Sequence, residues 1–297
     1  MSRNDTILNM KTEYTHGSLK YAEPNKIIFT SFSKRNFYLR SAVSQFVLEQ
    51  DATPISPFMN FDYNLAGLVD KDIIRAANNT LIAKADELWV FGEVSDGVLI
   101  EIYMAKTSGK TIRYFILSPI NHIFTEIKEI DVRLEDVSRW MWDWMLEGKN
   151  LERWHPRLRF KKTYPIVYPA YSKRNFYLQM HISQFCLENH VVPLNPFMLF
   201  RYFLGDTVKR ETVYRANNTI VRMSDEVWAF GDISNGVLAE IKLKQDLGQP
   251  VKYYKINTSY PVSFRRSLGH TMPFEFEEPE LEAHRSLLRS PPNNTQK

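Results

Sequence analysis

Ser33-Lys34-Arg35-Asn36-Phe37-Tyr38-Leu39 returns letter for letter as Ser172-Lys173-Arg174-Asn175-Phe176-Tyr177-Leu178. The correspondence continues downstream at a constant offset, without a gap, for more than seventy positions. Pro57-Phe58-Met59 matches Pro196-Phe197-Met198, Ala77-Asn78-Asn79-Thr80 matches Ala216-Asn217-Asn218-Thr219, and Gly97-Val98-Leu99 matches Gly236-Val237-Leu238. About half of the paired positions are identical, so the chain is a tandem duplication. Its period far exceeds that of a solenoid repeat, so each copy is a whole domain rather than one layer of a stacked array.

Within a copy the hydrophobic period alternates. Lys26-Ile27-Ile28-Phe29-Thr30 reads as a strand, followed by a polar loop and a helix through Val43, Phe46 and Val47. Ala52 to Pro57 reads as a short strand broken by prolines, Ile73 to Lys84 as a helix, and Leu88-Trp89-Val90-Phe91 as a buried strand. Gly97 opens a helix through Ala105, and Ile112 to Leu117 is the last strand. Strand and helix in alternation at this spacing predict an α/β chain: two tandem Rossmann-like (flavodoxin-like) parallel-sheet domains forming an internal pseudo-dimer. The expected division is an N-terminal extension over 1–24, repeat one over 25–118, a helical linker over 119–163, repeat two over 164–262 and a tail over 263–297. The linker carries Leu134, Val137, Trp140, Met141, Trp144 and Met145 at helical spacing from Val132 to Glu147, and should pack between the domains. The first two dozen residues and the end of the tail, with Pro291-Pro292-Asn293-Asn294, read as loose.

At 297 residues, 44% hydrophobic and 24% charged, the chain has an ordinary globular composition, which excludes disordered, collagen-like and coiled-coil classes. Aromatic residues reach 13%, which calls for a core or cleft rich in flat side chains. A net charge of +4 with Lys and Arg spread along the chain ranks nucleic acid last among partners. One cysteine, Cys186, and seven scattered histidines give neither an intrachain disulfide nor a metal-ligand spacing, and no metal or cofactor is expected. With no long apolar run and no signal peptide, a soluble, cytoplasmic protein without membrane contact is expected, with further homo-oligomerisation open.

In such sheets ligands bind at the carboxyl ends of the strands. Three groups therefore stand out. The loop Ser31 to Asn36, with Ala170 to Asn175, offers Ser33, Arg35, Asn36, Ser172, Arg174 and Asn175 as an anion cradle, or else a serine-capped solvated turn. Glu101 and Glu240 stand among aliphatic residues, as candidate nucleophiles or bases, or as glutamates reaching water at the rim. Asn78 and Asn217 can hydrogen-bond a sugar or base edge; at least one amide of each asparagine pair is expected to tie down a loop instead. Asp86 and Asp225 read as backbone caps.

Ala85-Asp86-Glu87-Leu88-Trp89-Val90-Phe91-Gly92, then Ser95-Asp96-Gly97-Val98, Glu101-Ile102, Ala105-Lys106 and Gly109, resemble the nucleoside 2-deoxyribosyltransferase superfamily. The likeness is greater to its small bacterial and phage domains. The second copy repeats the pattern from Ser224 to Gly231, at Ser234-Asn235-Gly236-Val237 and at Glu240-Ile241. The resemblance implies a five-stranded parallel sheet that cleaves or exchanges the N-glycosidic bond of a nucleoside or nucleotide. It gives Glu101 and Glu240 the nucleophile's position, adds Asp96 as a catalytic candidate, and puts Asn78, Gly97, Asn217 and Gly236 at the substrate. It also gives the serine–arginine loop the 5′-phosphate. Asn78 and Asn217 stand where the family's transferases carry an aspartate, and Asp96 becomes Asn235 in copy two. A non-catalytic nucleotide-binding module is therefore the alternative to an enzyme, and copy one is the better equipped. A third reading has Trp140, Trp142 and Trp144 hold a partner protein.

Overall fold

The computed structural model describes residues 13–21, 23–117, 123–200, 206–276 and 278–289. The first domain contains β1 (Ile27–Phe32), β2 (Thr53–Ile55), β3 (Glu87–Phe91), β4 (Thr111–Leu117) and β5 (Phe124–Ile127). Its sheet order is β2-β1-β3-β4-β5. The second repeats this with β6 (Ile166–Tyr171), β7 (Val192–Pro193), β8 (Glu226–Phe230), β9 (Val251–Asn257) and β10 (Ser263–Ser267), in the equivalent order β7-β6-β8-β9-β10. The main helices are α1 (Arg40–Glu49), α2 (Lys71–Lys84), α3 (Asp96–Thr107), α4 (Arg139–Leu146), α5 (Gln179–Glu188), α6 (Arg210–Met223) and α7 (Asn235–Asp246). The central strands β1 and β3 are buried along almost their whole length, which is why they read as continuous apolar runs.

Two α/β domains in tandem are what the alternating periods predict, and the strand order is the flavodoxin-like one. The sheets depart from the all-parallel expectation at one edge. β5 runs antiparallel to β4 and β10 antiparallel to β9, because each edge strand follows its neighbour through a short connection rather than a crossover helix. β5 falls within the expected linker and β10 within the expected tail, so the duplication reaches beyond the limits drawn from sequence.

The linker's helix is also shorter than its periodicity suggests. It spans only Arg139–Leu146, because the residues before it pair as backbone. The Val94 N–H donates to the Arg133 carbonyl, and the Glu135 N–H to the Val94 carbonyl, each at 2.9 Å. Trp142 is buried edge-on to Tyr114 of β4, so the helix packs on the first domain. Trp140 and Trp154 are exposed, and both rings meet that of Trp144.

The residues before Pro24 are not all loose. Gly17–Tyr21 forms a 3-10 turn, and its equivalent Pro156–Arg159 precedes the second domain. Each turn belongs to an arm that crosses to the other domain. Asn218 Nδ2 donates to the carbonyls of Ser18 (2.8 Å) and Tyr21 (3.1 Å), while Asn79 Nδ2 donates to those of Phe160 (2.8 Å) and Lys162 (3.3 Å). The Thr219 hydroxyl accepts the Asn25 N–H, and the Thr80 hydroxyl accepts the Tyr164 N–H. The tail is likewise built in as far as its 3-10 segment, Pro279–Leu288, which buries Leu281 and Leu288. Pro291 to Asn294 lie outside the described residues.

Further contacts join the two domains. Asn60 donates from Nδ2 to the Pro193 carbonyl (2.6 Å) and accepts the Asn195 N–H (3.2 Å), and Arg215 pairs with Asp51 at 2.8 Å. One hydrophobic cluster runs through both halves. Asp86 and Asp225 do cap the strands: their carboxylates accept the N–H groups of Ile27 (2.8 Å) and Ile166 (2.7 Å). Among the described residues no helix is long and apolar enough to cross a membrane.

Candidate functional site

Strand order reverses between β1 and β3, and there the sheet opens into a cavity of about 380 Å³. Open α/β sheets bind ligands at such switch points, and this volume suits a ligand of nucleoside size. Thr30, Phe32 and Ser33 enter it from the end of β1, and Asn78 from α2. Asp96, Gly97 and Glu101 enter from the first turns of α3, Glu135 and Asp136 from the segment paired with Val94, and Arg157 from the second domain's arm. Phe58 and Phe61 complete an aromatic wall.

Glu101 is held at both carboxylate oxygens. Ser31 Oγ donates to Oε2 at 2.5 Å and Asn78 Nδ2 to Oε1 at 2.9 Å. Burial raises its pKa above the ordinary carboxylate range, opposed by these two hydrogen bonds and by the nearby Arg157 guanidinium. Arg157 is half-buried, and among the described residues no carboxylate pairs with it. Two buried polar atoms of the cavity residues, Thr30 Oγ1 and Asn78 Oδ1, have no hydrogen-bond partner among the described residues. Buried polar atoms are seldom left so, and a ligand could satisfy them.

The serine–arginine loop divides. Ser33 lines the cavity, and its hydroxyl also accepts the Arg35 N–H at 3.2 Å, so cap and cavity wall coexist. Arg35 pairs at 2.8 Å with the Glu135 carboxylate of the cavity wall. Asn36 packs against Gly92, where φ is +82° and an added Cβ would lie 2.7 Å from Asn36 Nδ2. Neither Arg35 nor Asn36 lines the cavity. Asn78 is at the glutamate, whereas its neighbour Asn79 ties down the arm, so the two amides of the pair split between site and scaffold. Asp96 lies on the cavity wall, with its carboxylate 3.0 and 3.2 Å from His155 Nε2. At Gly97 a Cβ would meet the Arg157 guanidinium at an ordinary contact distance of 3.7 Å.

The second copy keeps the glutamate but rebuilds its surroundings. Thr30 and Ser31 become Pro169 and Ala170, Phe29 becomes Tyr168, and Arg157 is matched by Ser18. Tyr168 donates its hydroxyl to Glu240 Oε1 at 2.5 Å, and Asn217 donates to the same oxygen at 3.1 Å. The same Tyr168 hydroxyl lies 2.9 Å from Asn217 Oδ1, so the counterpart of the unpartnered Asn78 oxygen is engaged. Burial pushes the Glu240 pKa up to about 7, against the pull of these two bonds. Ser172 accepts the Arg174 N–H at 3.2 Å, Arg174 lies 4.0 Å from Glu275, and Asn175 packs against Gly231. Gly236 is exposed at the start of α7. Asn235 is held by Tyr14, whose hydroxyl lies 2.6 Å from its side-chain oxygen and 2.7 Å from its carbonyl.

Thr30, Arg157 and His155 are residues that reading from the duplicated loop outward misses. The signal for the last two is present. His16-Gly17-Ser18-Leu19-Lys20-Tyr21 and His155-Pro156-Arg157-Leu158-Arg159-Phe160 stand at the same offset as the rest of the duplication.

The family described as "Domain of unknown function (DUF7768)" matches residues 29–115 and again 167–254, together more than half of the chain. The protein belongs to this family. In this DUF7768 protein both matches stop short of the arms and of the antiparallel edge strands. No curated protein matches it. A crystal structure named for a UDP-N-acetylglucosamine 2-epimerase from Listeria monocytogenes is similar at 12% identity and a TM-score of 0.22. That match covers 77% of this chain and 78% of the epimerase chain, and is too distant to bear on chemistry.

Proposed function

We propose that the first cleft cleaves or transfers the N-glycosidic bond of a nucleoside or nucleotide, with Glu101 as nucleophile. The observation that carries the reading is Glu101 itself, a desolvated carboxylate oriented by Ser31 and Asn78 beside a ligand-sized cavity. A Glu101 oxygen bonds to the anomeric carbon as the carbon–nitrogen bond breaks, and the electron pair leaves with the base. Water or a second base then displaces the glutamate, as in retaining glycoside hydrolysis. Phe32, Phe58 and Phe61 supply flat apolar surface for the base, and the unpaired Arg157 suits an anionic group such as a phosphate. Glu101 must be ionised to attack, so its raised pKa makes the rate climb with pH through that titration. The resemblance to the deoxyribosyltransferase superfamily supports the same reading.

The second copy lacks the equivalents of Ser31, Thr30, Asp96 and Arg157, and we assign it no turnover. The test is incubation of the full chain with nucleosides, 2′-deoxynucleosides and their 5′-phosphates while free base is measured. Release that survives in Glu101→Gln sinks the proposal; release that survives in Glu240→Gln is expected.

One observation favours a binding module without turnover. Where the resemblance expects an aspartate, Asn78 stands as an amide that donates to Glu101, and an amide does not protonate a leaving base. Stabilisation of about 2.7 kcal/mol by a nucleotide at 100 times its dissociation constant, with no base released, would select this alternative.

A further inference from the structure

The first cleft is completed by a residue from the other repeat that does not itself line the cavity. His155 comes in on the arm of the second repeat, which Asn79 and Thr80 fasten across the first. Its Nε2 meets both oxygens of Asp96, at 3.0 and 3.2 Å. The backbone at Asp96 is fixed as well, since its N–H donates to Asp136 Oδ1 at 2.8 Å. A carboxylate has about four acceptor sites, and one ring N–H leaves most of them unused. Asp96 therefore presents spare acceptor capacity on the cavity wall with its side chain 47% exposed, while His155 is 13% exposed. A hydroxyl donor satisfies that capacity, whereas a phosphate is repelled by it. The second copy keeps the plan with neutral partners, Tyr14 from the opposite arm holding Asn235.

We infer that His155 is a positioning residue that fixes Asp96 to accept a hydrogen bond from the 2′- or 3′-hydroxyl of the ligand's sugar. Ligands for this cleft are then hydroxyl-bearing sugars attached to a flat base, and selectivity among ribose, 2′-deoxyribose and 2′,3′-dideoxyribose passes through Asp96. The inference deepens the proposed function and rests only on its ligand-binding part.

The test is a double-mutant cycle in the full chain with Asp96→Asn, His155→Ala and the double variant. It is read as dissociation constants by calorimetry for the three sugar forms of one nucleoside, alongside kcat/KM wherever base is released. Each single variant should weaken the hydroxylated ligands roughly ten- to a hundredfold, the range for losing a charge-assisted hydrogen bond. His155→Ala should add little in the Asp96→Asn background, because histidine acts through the aspartate. His155→Gln, whose amide can still donate, should recover part of the loss, and the dideoxy ligand should be nearly indifferent to all variants. Additive losses, or equal losses for all three sugars, overturn the inference even if the variants melt like the parent. Binding without base release would remove the glycosidase reading and leave this one standing. Failure of the parent chain to bind any of the three would overturn both.

Discussion

Glu240→Gln should stabilise the protein at neutral pH and not in acid. Burial raises the folded pKa of Glu240 from 4.5 to about 7. The folded state therefore binds this proton more tightly than the unfolded chain, and its stabilising effect is fully present below pH 4.5. It is lost as pH rises through about 7, where the folded protein must bury a charge that the unfolded chain exposes to water. At 1.36 kcal/mol per unit, the shift corresponds to about 3 kcal/mol. Glutamine carries no charge, and its amide oxygen can accept the Tyr168 and Asn217 hydrogen bonds in place of Oε1. Urea unfolding of parent and variant in steps from pH 4 to pH 8 should show near-equal stability at the acid end. The variant's advantage should grow across the interval and reach about 3 kcal/mol by pH 8. A pH-independent difference, or one that is largest in acid, would show that Glu240 does not titrate as a buried carboxylate.

Further outcomes follow from the same geometry. Arg157→Met should raise KM for 5′-phosphorylated substrates roughly ten- to a hundredfold while leaving the corresponding nucleosides little changed, read from steady-state kinetics on matched pairs. Asn79→Ala strips the Phe160 and Lys162 carbonyls of their side-chain donor, and should cost about 1–3 kcal/mol in denaturant unfolding. It should also weaken ligand binding in the first cleft by loosening the arm that carries His155 and Arg157. Cys186 is fully buried and its thiol pKa is pushed up by burial, so alkylating reagents should label it only at the rate of unfolding.

Much of the architecture can be read from the sequence because the central strands are apolar on both faces and the helices have apolar stripes at the expected period. The duplication did the rest, since an element read in one copy is checked in the other. The edge strands were missed for a physical reason. Phe124 to Ile127 is exposed at two of its four positions and half-buried at the others, so it has no apolar run to announce it. The linker helix is overextended from sequence because Leu134 and Val137 continue the helical spacing of Met141 and Trp144, yet the backbone around Leu134 pairs with Val94. At the site, Glu101 and Asn78 were legible because a carboxylate among aliphatic residues and an amide on a helix both need a reason. Arg35 and Asn36 have the right chemistry for a ligand, but other residues engage them: Glu135 takes the guanidinium and Gly92 receives the amide. His155 and Arg157 reach the cleft only through the crossing of the arms, a tertiary fact that local spacing does not encode.

The most direct test of the glutamate mechanism is to stop a reaction of the full chain with nucleosides and their 5′-phosphates in acid and weigh the peptide that contains Glu101. A mass gain equal to the sugar portion of the substrate, together with free base in solution and both absent from Glu101→Gln, is the expected result. Base released with no adduct on that peptide under rapid quenching, and at an unchanged rate in Glu101→Gln, would contradict it.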